Sequence, residues 1–323
     1  MNELLLSLCI PTNGISEWVF PVLDSIYEQA NSLQKFEVVV TDNGNNLDFY
    51  NRMQEYCSRY QNLCYEKTKA QGFTNQIDCF KLAKGQLIKF VNHRMPLVKG
   101  ALEYLISFAE KNLKSKPVTY FTNGELQLKN GYKKLQNFDS FIKALGYWSS
   151  WSAGISIWRS DLEKIDLLKP YSLTFPHTVF LFGNTGANSY FIDDRRLVTE
   201  IQSKPTKKGN YNLFTAFSVE YIDIIRGLLD DKKISSATFE YIKKDMSYFV
   251  SLLLYEYVIK KQESSYDLQN YKEAIEKNYS YPAIICNIPY ALFKNKVLKR
   301  IKNCIVEEGR DSYEENKYKV FYT

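Results

Sequence analysis

Two hydrophobic patterns divide the chain. Up to residue 105, short runs of consecutive apolar and β-branched residues alternate with longer stretches of mixed polarity. Residues 4–10, 36–41, 63–66 and 87–91 read as strands covered on both faces, because such strands lack the in–out alternation of a half-exposed sheet. Residues 17–33, 46–60 and 73–83 are helix-length, the last closed by Gly85. The resulting βαβαβαβ series, wound with right-handed crossovers, predicts a mostly parallel sheet with helices on both sides and a ligand at the carboxyl ends of its strands. After Pro117 the rhythm changes to short strand-like pieces, a Trp-rich stretch at 147–158, and strands near 190–192 and 196–201. From residue 213 the pattern is helical, over 213–230, 235–261, 266–277 and 290–307. The expected organisation is an α/β domain over 1–210, with a nucleotide-binding half (1–105) and an acceptor half (106–210), and an appended helical region over 211–323.

A chain of 323 residues suffices for one large α/β unit plus a helical addition. The 42 Lys and Arg outnumber the 36 Asp and Glu by only six, an excess that suits phosphate handling without demanding nucleic acid. None of the six cysteines forms a Cys-x-x-Cys pair, and Cys9 and Cys79 lie in apolar-periodic segments. Idle thiols in a reducing cytoplasm fit better than a disulfide framework or zinc site. The opening apolar run lacks a basic flank and is broken by Pro11, so it reads as a first strand rather than a signal peptide. No run of about eighteen apolar residues is present to span a membrane.

Four segments, LLLSLCIPTNG, FEVVVTDNGNN, KAQGFTNQIDCFKLAKGQLIKFVN and MPLVKGALEYL, fall in the order and strand-end context of one known family. Over residues 3–105, and more weakly to about 215, the chain resembles the family 2 glycosyltransferases of GT-A fold, especially the bacterial branch that builds O-antigens, lipopolysaccharide and capsules. That resemblance implies a Rossmann-like GT-A domain, a nucleotide-diphosphate sugar as donor, and inverting transfer to a hydroxyl of a glycan or lipid-linked acceptor. Members of that family usually carry Asp-x-Asp at the end of the fourth strand to hold a divalent cation. Here the strand runs into Asn92, His93, Arg94 and Met95, the last three on the usual Asp positions. Arg and Met are poor ligands for a hard cation, so the expectation is a metal-independent or weakly metal-dependent enzyme, with the nucleotide-diphosphate sugar as donor and Mg or Mn left open but without an Asp-x-Asp to hold it. Arg94, with His93 beside it, is the candidate to supply the missing positive charge to the leaving diphosphate. The competing reading is a surface arginine in a decayed site.

Other candidates follow the same alignment. Pro11, Thr12 and Asn13 end the first strand, where a turn can offer amides and a hydroxyl to the nucleotide or simply end the strand. Asp42 closes the second strand where it can accept from a base N–H or form an Asx turn with Asn43-Gly44. Gly72 and Gln76 match positions around the nucleotide, and neighbouring Asn75 alternatively caps a helix. Lys207, in the Lys-rich loop 204–209, can join Arg94 on the diphosphate or be merely solvated. For the general base, His177 in Phe175-Pro176-His177-Thr178 comes first because imidazole titrates near working pH, and Asp194, with Asp193, is the runner-up. Trp148, Trp151 and Trp158 flank Ser152-Ala153-Gly154-Ile155-Ser156, where indoles can frame an acceptor sugar or belong to the core.

The C-terminal segment 291–305 places Leu292, Val297, Leu298, Ile301 and Ile305 on one side and Lys294, Lys296, Lys299, Arg300 and Lys302 around the rest. Such a helix can lie peripherally on an anionic inner leaflet, pack on its own protein, or make a homodimer. The expected location is cytoplasmic. A non-catalytic nucleotide-sugar-binding or scaffold subunit is the rival reading, and no nucleic-acid partner is expected.

Overall fold

The computed structural model describes residues 4–167, 171–202 and 209–312, with side chains as far as Lys296 in the last stretch. In chain order the first part contains β1 (Leu6–Thr12), α1 (Ser16–Tyr27), β2 (Phe36–Asp42), α2 (Leu47–Arg59), β3 (Leu63–Lys67), α3 (Asn75–Leu82), β4 (Leu87–Phe90) and α4 (Ala101–Asn112). Next come β5 (Val118–Phe121), β6 (Tyr132–Leu135), α5 (Phe138–Leu145), β7 (Ser156–Trp158), α6 (Arg159–Leu162), α7 (Thr178–Phe182) and β8 (Tyr190–Asp193). The C-terminal helices are α8 (Leu213–Thr215), α9 (Tyr221–Asp230), α10 (Ser236–Leu253), α11 (Tyr271–Glu276) and α12 (Tyr281–Ser312).

The central sheet has the order β3-β2-β1-β4-β7; the first four strands are parallel and β7 is antiparallel. Every residue of β2 is buried, which is the physical reason for its unbroken apolar run. A second sheet, β5-β8-β6, stands beside the first. On one side of the central sheet Leu8, Val38 and Val40 pack with Phe20, Phe49 and Leu105 of the neighbouring helices. On the other side a second core runs without interruption from Cys9 and Val39 through Phe80 and Phe141 to Phe214, Ile242 and Ile284. Each such large apolar side chain contributes roughly 1.5–3 kcal/mol by leaving water. The fold is the mostly parallel α/β architecture with appended helices that the sequence leads one to expect.

Three local expectations need correction. The first strand runs two residues further than its apolar stretch, and Pro11 lies within it, paired with Thr41. Pairing with β4 stops at Cys9, so the missing Pro11 N–H falls beyond the last partner on that side. Residues 196–201 are not a strand. Val198 makes a single bridge to Leu97; the Asn123 side chain takes Leu197 N (2.8 Å) and Val198 N (3.0 Å), while Thr199 N and Ile201 N donate to Pro96 O and Arg94 O without extending the bridge into a strand. The helix expected to begin at 266 begins at Tyr271, after Asn270 in the left-handed conformation (φ 52°). The pattern 213–230 is one helical run interrupted by a π-turn at Ala216–Glu220, and 235–261 is one helical run that ends in a π-helical stretch, Leu254–Ile259.

Candidate nucleotide and acceptor site

In a sheet ordered 3-2-1-4 the connections reverse between β1 and β4, and the crevice opens beyond the carboxyl ends of those two strands. Three asparagines bind the loops at this edge together. Asn75 Nδ2 donates to Thr12 O (3.1 Å) and Thr41 O (2.9 Å), while its Oδ1 accepts from the Thr68 hydroxyl (2.8 Å). Asn43 Nδ2 donates to Ala70 O and Gly72 O, and Asn46 Nδ2 donates to Gly14 O as its Oδ1 caps α2 through Phe49 N. Asn75 therefore ties β1 to β2 rather than capping α3, whose N-cap is Thr74 without a side-chain bond.

Asp42 is fully buried at the end of β2. One carboxylate oxygen accepts from Gly44 N (2.7 Å), forming the Asx turn, and the other from Tyr65 Oη and Lys67 Nζ (2.9 Å each). A buried carboxylate needs such partners, and Lys67 supplies the opposite charge. Gly44 is required by proximity: a Cβ there would stand 2.0 Å from Asn13 O. Gly72 adopts φ 53° at the solvent edge. Gln76 is buried on α3, and its Oε1 has no hydrogen-bond partner.

Across the crevice, His93 Nδ1 lies 2.8 Å from Thr12 Oγ1 and its ring packs edge-on against Trp18 at 5.0 Å. Burial, with the Arg94 charge adding to it, lowers the His93 pKa to about 3, so the imidazole is neutral near pH 7. Asn92 Oδ1 accepts from Arg94 N (3.2 Å) and Asn92 O from Met95 N (2.9 Å), a tight turn in place of a carboxylate motif. The Arg94 guanidinium meets Glu200 at 3.3 Å, and its backbone carbonyl accepts from Ile201 N. Burial raises the Tyr211 and Tyr266 phenols while the Arg94 charge opposes it, which places the guanidinium near the first C-terminal helices. The turn offers an amide, an imidazole engaged by Thr12, a guanidinium and a thioether; these do not fit a hard divalent cation. Among the described residues no three His, Cys, Asp or Glu side chains cluster as metal ligands.

Beneath this turn lies a small cavity of about 20 Å³ lined by Lys89, Asn92, Phe121, Asn123, Trp151 and Val198, among others. Lys89 is a charge the strand pattern passes over: it points from β4 into the interior, donates to Phe90 O (2.7 Å) and Ala153 O (2.5 Å), and stands 5.3 Å from the Phe121 ring. Burial lowers its pKa to about 7. On the far wall the buried Tyr120 hydroxyl shares its one proton between Trp148 O and Trp151 O, fixing the Trp-rich segment. Gly154 makes room for that ring, since a Cβ there would come within 2.2 Å of it. Trp158 is core, its indole N–H donating to Pro117 O (2.9 Å).

The candidate bases lie outside that cavity lining. His177 is buried at the start of α7 against Phe175, and burial lowers its pKa to about 3. The Ser150 backbone is near its ring, yet neither ring nitrogen is in hydrogen-bonding geometry. Asp194 is a loop clamp whose oxygens accept from the Thr122 hydroxyl, Leu126 N (3.1 Å) and Leu128 N (2.7 Å). Asp193, buried and raised in pKa by that burial, accepts from the Tyr104 hydroxyl and Arg195 N. Thr12, Asn13, Asp42, Gly72, Asn92, His93 and Arg94 thus share one edge, while His177 and Asp194 sit apart; Lys207 lies outside the described residues. The asparagine ties, Glu200 and Asn123 escaped sequence reasoning. A lysine inside an apolar strand, Lys89, was the one signal available there.

No family model matches the sequence, and no curated protein does. Solved structures match in fold. S. aureus TarS 1-349 in complex with UDP-GlcNAc has a TM-score of 0.57 at 15% identity over 94% of this chain and 92% of that one. The TarS 1-349 structure has a TM-score of 0.54 at 14% identity, covering 94% and 91%. Against the S. aureus TarS structure the TM-score is 0.50 at 15% identity, and the match covers 77% of this chain but only 43% of that one. The fold, then, is GT-A-like.

Proposed function

We propose that the chain is a glycosyltransferase that moves a sugar, with inversion, from a nucleotide-diphosphate donor to a hydroxyl of a surface-glycan or lipid-linked acceptor, without a bound divalent cation. The observation that carries this reading is the Asn92–Met95 turn. It sits at the switch point of a GT-A-like sheet, is fastened to β1 through His93 and Thr12, and carries Arg94 where a cation-binding motif is expected. The likeness to a fold solved with UDP-GlcNAc supports a nucleotide-sugar donor. The rigid edge formed by Thr12, Asn13, Asp42, Gly72 and Gln76 would hold the nucleoside, and Asn92, His93 and Arg94 the diphosphate, with Lys207 joining them. In the transfer, the acceptor oxygen bonds to the anomeric carbon as the bond to the diphosphate breaks, the acceptor proton passes to a base, and the leaving group departs with added negative charge. A guanidinium fork suits that charge, and His93, being neutral, contributes a hydrogen bond rather than a second cation.

Of the bases, His177 keeps both ring nitrogens without an internal partner, whereas the Asp194 carboxylate is already occupied by three donors. His177 is therefore the base carried forward; its burial requires the neighbouring segment to open when acceptor binds. That same burial favours a second reading, a non-catalytic nucleotide-sugar-binding subunit. Release of nucleoside diphosphate from UDP-, GDP-, CDP- and dTDP-sugars in the presence of EDTA separates the two. Turnover by the wild-type protein, lowered at least 100-fold in Arg94→Ala, is expected for a transferase; binding with no release from any donor would leave the non-catalytic reading.

A membrane or dimer role for 290–305 remains part of this proposal. No described helix is long and apolar enough to cross a membrane. Of the expected stripe Leu292 packs against the core; beside it Ala291 is buried, while Tyr290 and Phe293 are exposed. The side chains of Val297, Leu298, Ile301 and Ile305 lie outside the described residues.

A further inference from the structure

A second cleft, of about 180 Å³, opens between the Gly146–Trp148 turn, α10 and α12. One wall is a fixed aromatic stack: Tyr147 lies 4.9 Å from Phe249 at 10° and 4.9 Å from Trp148 at 29°. Tyr248 contributes a further ring, held against Tyr290 at 4.8 Å. The polar side is equally ordered. The Asp245 carboxylate accepts from Tyr147 N (3.0 Å) and from Lys294 Nζ (2.9 Å), each oxygen taking one donor and keeping a lone pair for another. Gly146 lets the turn approach this carboxylate, since a Cβ there would stand 2.3 Å from Asp245 Oδ2 and its φ is 56°. Flat rings beside hydroxyl-binding acid, ammonium and amide groups match the alternating C–H faces and hydroxyl edges of a sugar chain. Asp245 and Lys294 neutralise each other and Glu125 leaves the lining with a net negative charge, so the cleft disfavours an anionic ligand and suits neutral sugar units.

Position gives this chemistry its meaning. Trp148 lines the cleft and Trp151 lines the cavity beneath the Asn92–Met95 turn, and their rings meet at 5.7 Å in an edge-to-face pair. The Tyr120 hydroxyl holds both backbone carbonyls, so one rigid segment forms a wall of both spaces.

We infer that the Tyr147–Trp148/Asp245–Lys294 cleft is an extended subsite for the acceptor glycan, holding neutral sugar units beyond the one that is glycosylated. This rests on the proposed glycosyl transfer, and it predicts that the acceptor is an oligosaccharide rather than a single sugar.

The test is binding of the full chain to an array of defined oligosaccharides of one to six units. Tyr248→Ala and Asp245→Asn are measured alongside, with circular dichroism as a check on folding and nucleoside-diphosphate binding measured in parallel. The expected result is affinity for a neutral glycan that rises at least 10-fold from one unit to four and falls at least 10-fold in both folded variants, with nucleotide affinity unchanged. Glycan binding indifferent to both substitutions, or no binding of any array glycan by protein that still binds nucleotide, overturns the inference. Loss of nucleotide binding in the wild type would instead overturn the transferase reading on which it rests.

Discussion

Arg94 and Glu200 face each other at 3.3 Å across the edge of the crevice, so the guanidinium proposed to meet the donor diphosphate rests against a carboxylate. Glu200 is more than half exposed, and the pair itself adds little to stability. A diphosphate entering the site competes with Glu200 for the guanidinium. Glu200→Gln is therefore expected to tighten nucleoside-diphosphate binding about 2–5-fold in EDTA, and Arg94→Ala to weaken it at least 10-fold, both read by titration calorimetry.

Asn75 joins β1, β2 and the loop after β3 with three side-chain hydrogen bonds, two of them to buried main-chain carbonyls. Asn75→Ala removes all three bonds, although Thr12 O keeps the Asn43 N–H as a donor, and is expected to cost about 1–3 kcal/mol in denaturant unfolding. Nucleotide affinity should fall as well, because the edge that Asn75 organises includes Thr12.

Gly154 has the Tyr120 ring where a side chain would go, 2.2 Å from an added Cβ. Gly154→Ala displaces that ring and with it the carbonyls of Trp148 and Trp151. A loss of about 1–3 kcal/mol by overpacking is expected, and acceptor affinity should drop with little change in nucleotide binding. Thermal denaturation and separate acceptor and donor titrations check this.

The buried ionisable groups give opposite windows. His177 falls from 6.5 to about 3 on folding, so the unfolded chain binds more protons between those values. Stability due to His177 is full above about pH 6.5 and is lost as pH falls towards 3, a change on the order of 4 kcal/mol that His177→Phe should remove. Lys89 falls from 10.5 to about 7, so wild type should lose stability relative to Lys89→Met as pH drops from 10.5 to 7, with no further relative change below. Chemical denaturation across pH 4–10.5 measures both. With both histidines lowered to about 3 in the free protein, the kcat/KM profile should show no acidic limb near pH 6.5 from either.

The sheet was legible because parallel strands buried on both faces write themselves as apolar runs; β2 is the plainest case. The helix starts at Asn46 and Ser235 were legible for a local reason, since each caps its helix through its own side chain. Residues 196–201 were not, because Asn123, more than seventy positions away, takes the Leu197 and Val198 N–H groups and leaves only Thr199 and Ile201 to donate to the 94–96 backbone. The site divides the same way. Thr12 and His93 could be placed at strand ends, but their contact depends on the order of strands. The tying asparagines and the partner of Arg94 come from sequence-distant loops and leave no periodic trace.

The central claim is that this edge binds a nucleoside diphosphate using Arg94 in place of a metal. Its most direct test is a thermal-shift series on the purified chain with UDP, GDP, CDP and dTDP, each in EDTA and in manganese, repeated with Arg94→Ala. Ligand that binds only the folded state raises the melting temperature by mass action. The account predicts that one nucleotide stabilises the wild type equally with EDTA or manganese and that Arg94→Ala abolishes the shift. Stabilisation that appears only with manganese, or that survives Arg94→Ala unchanged, would contradict it.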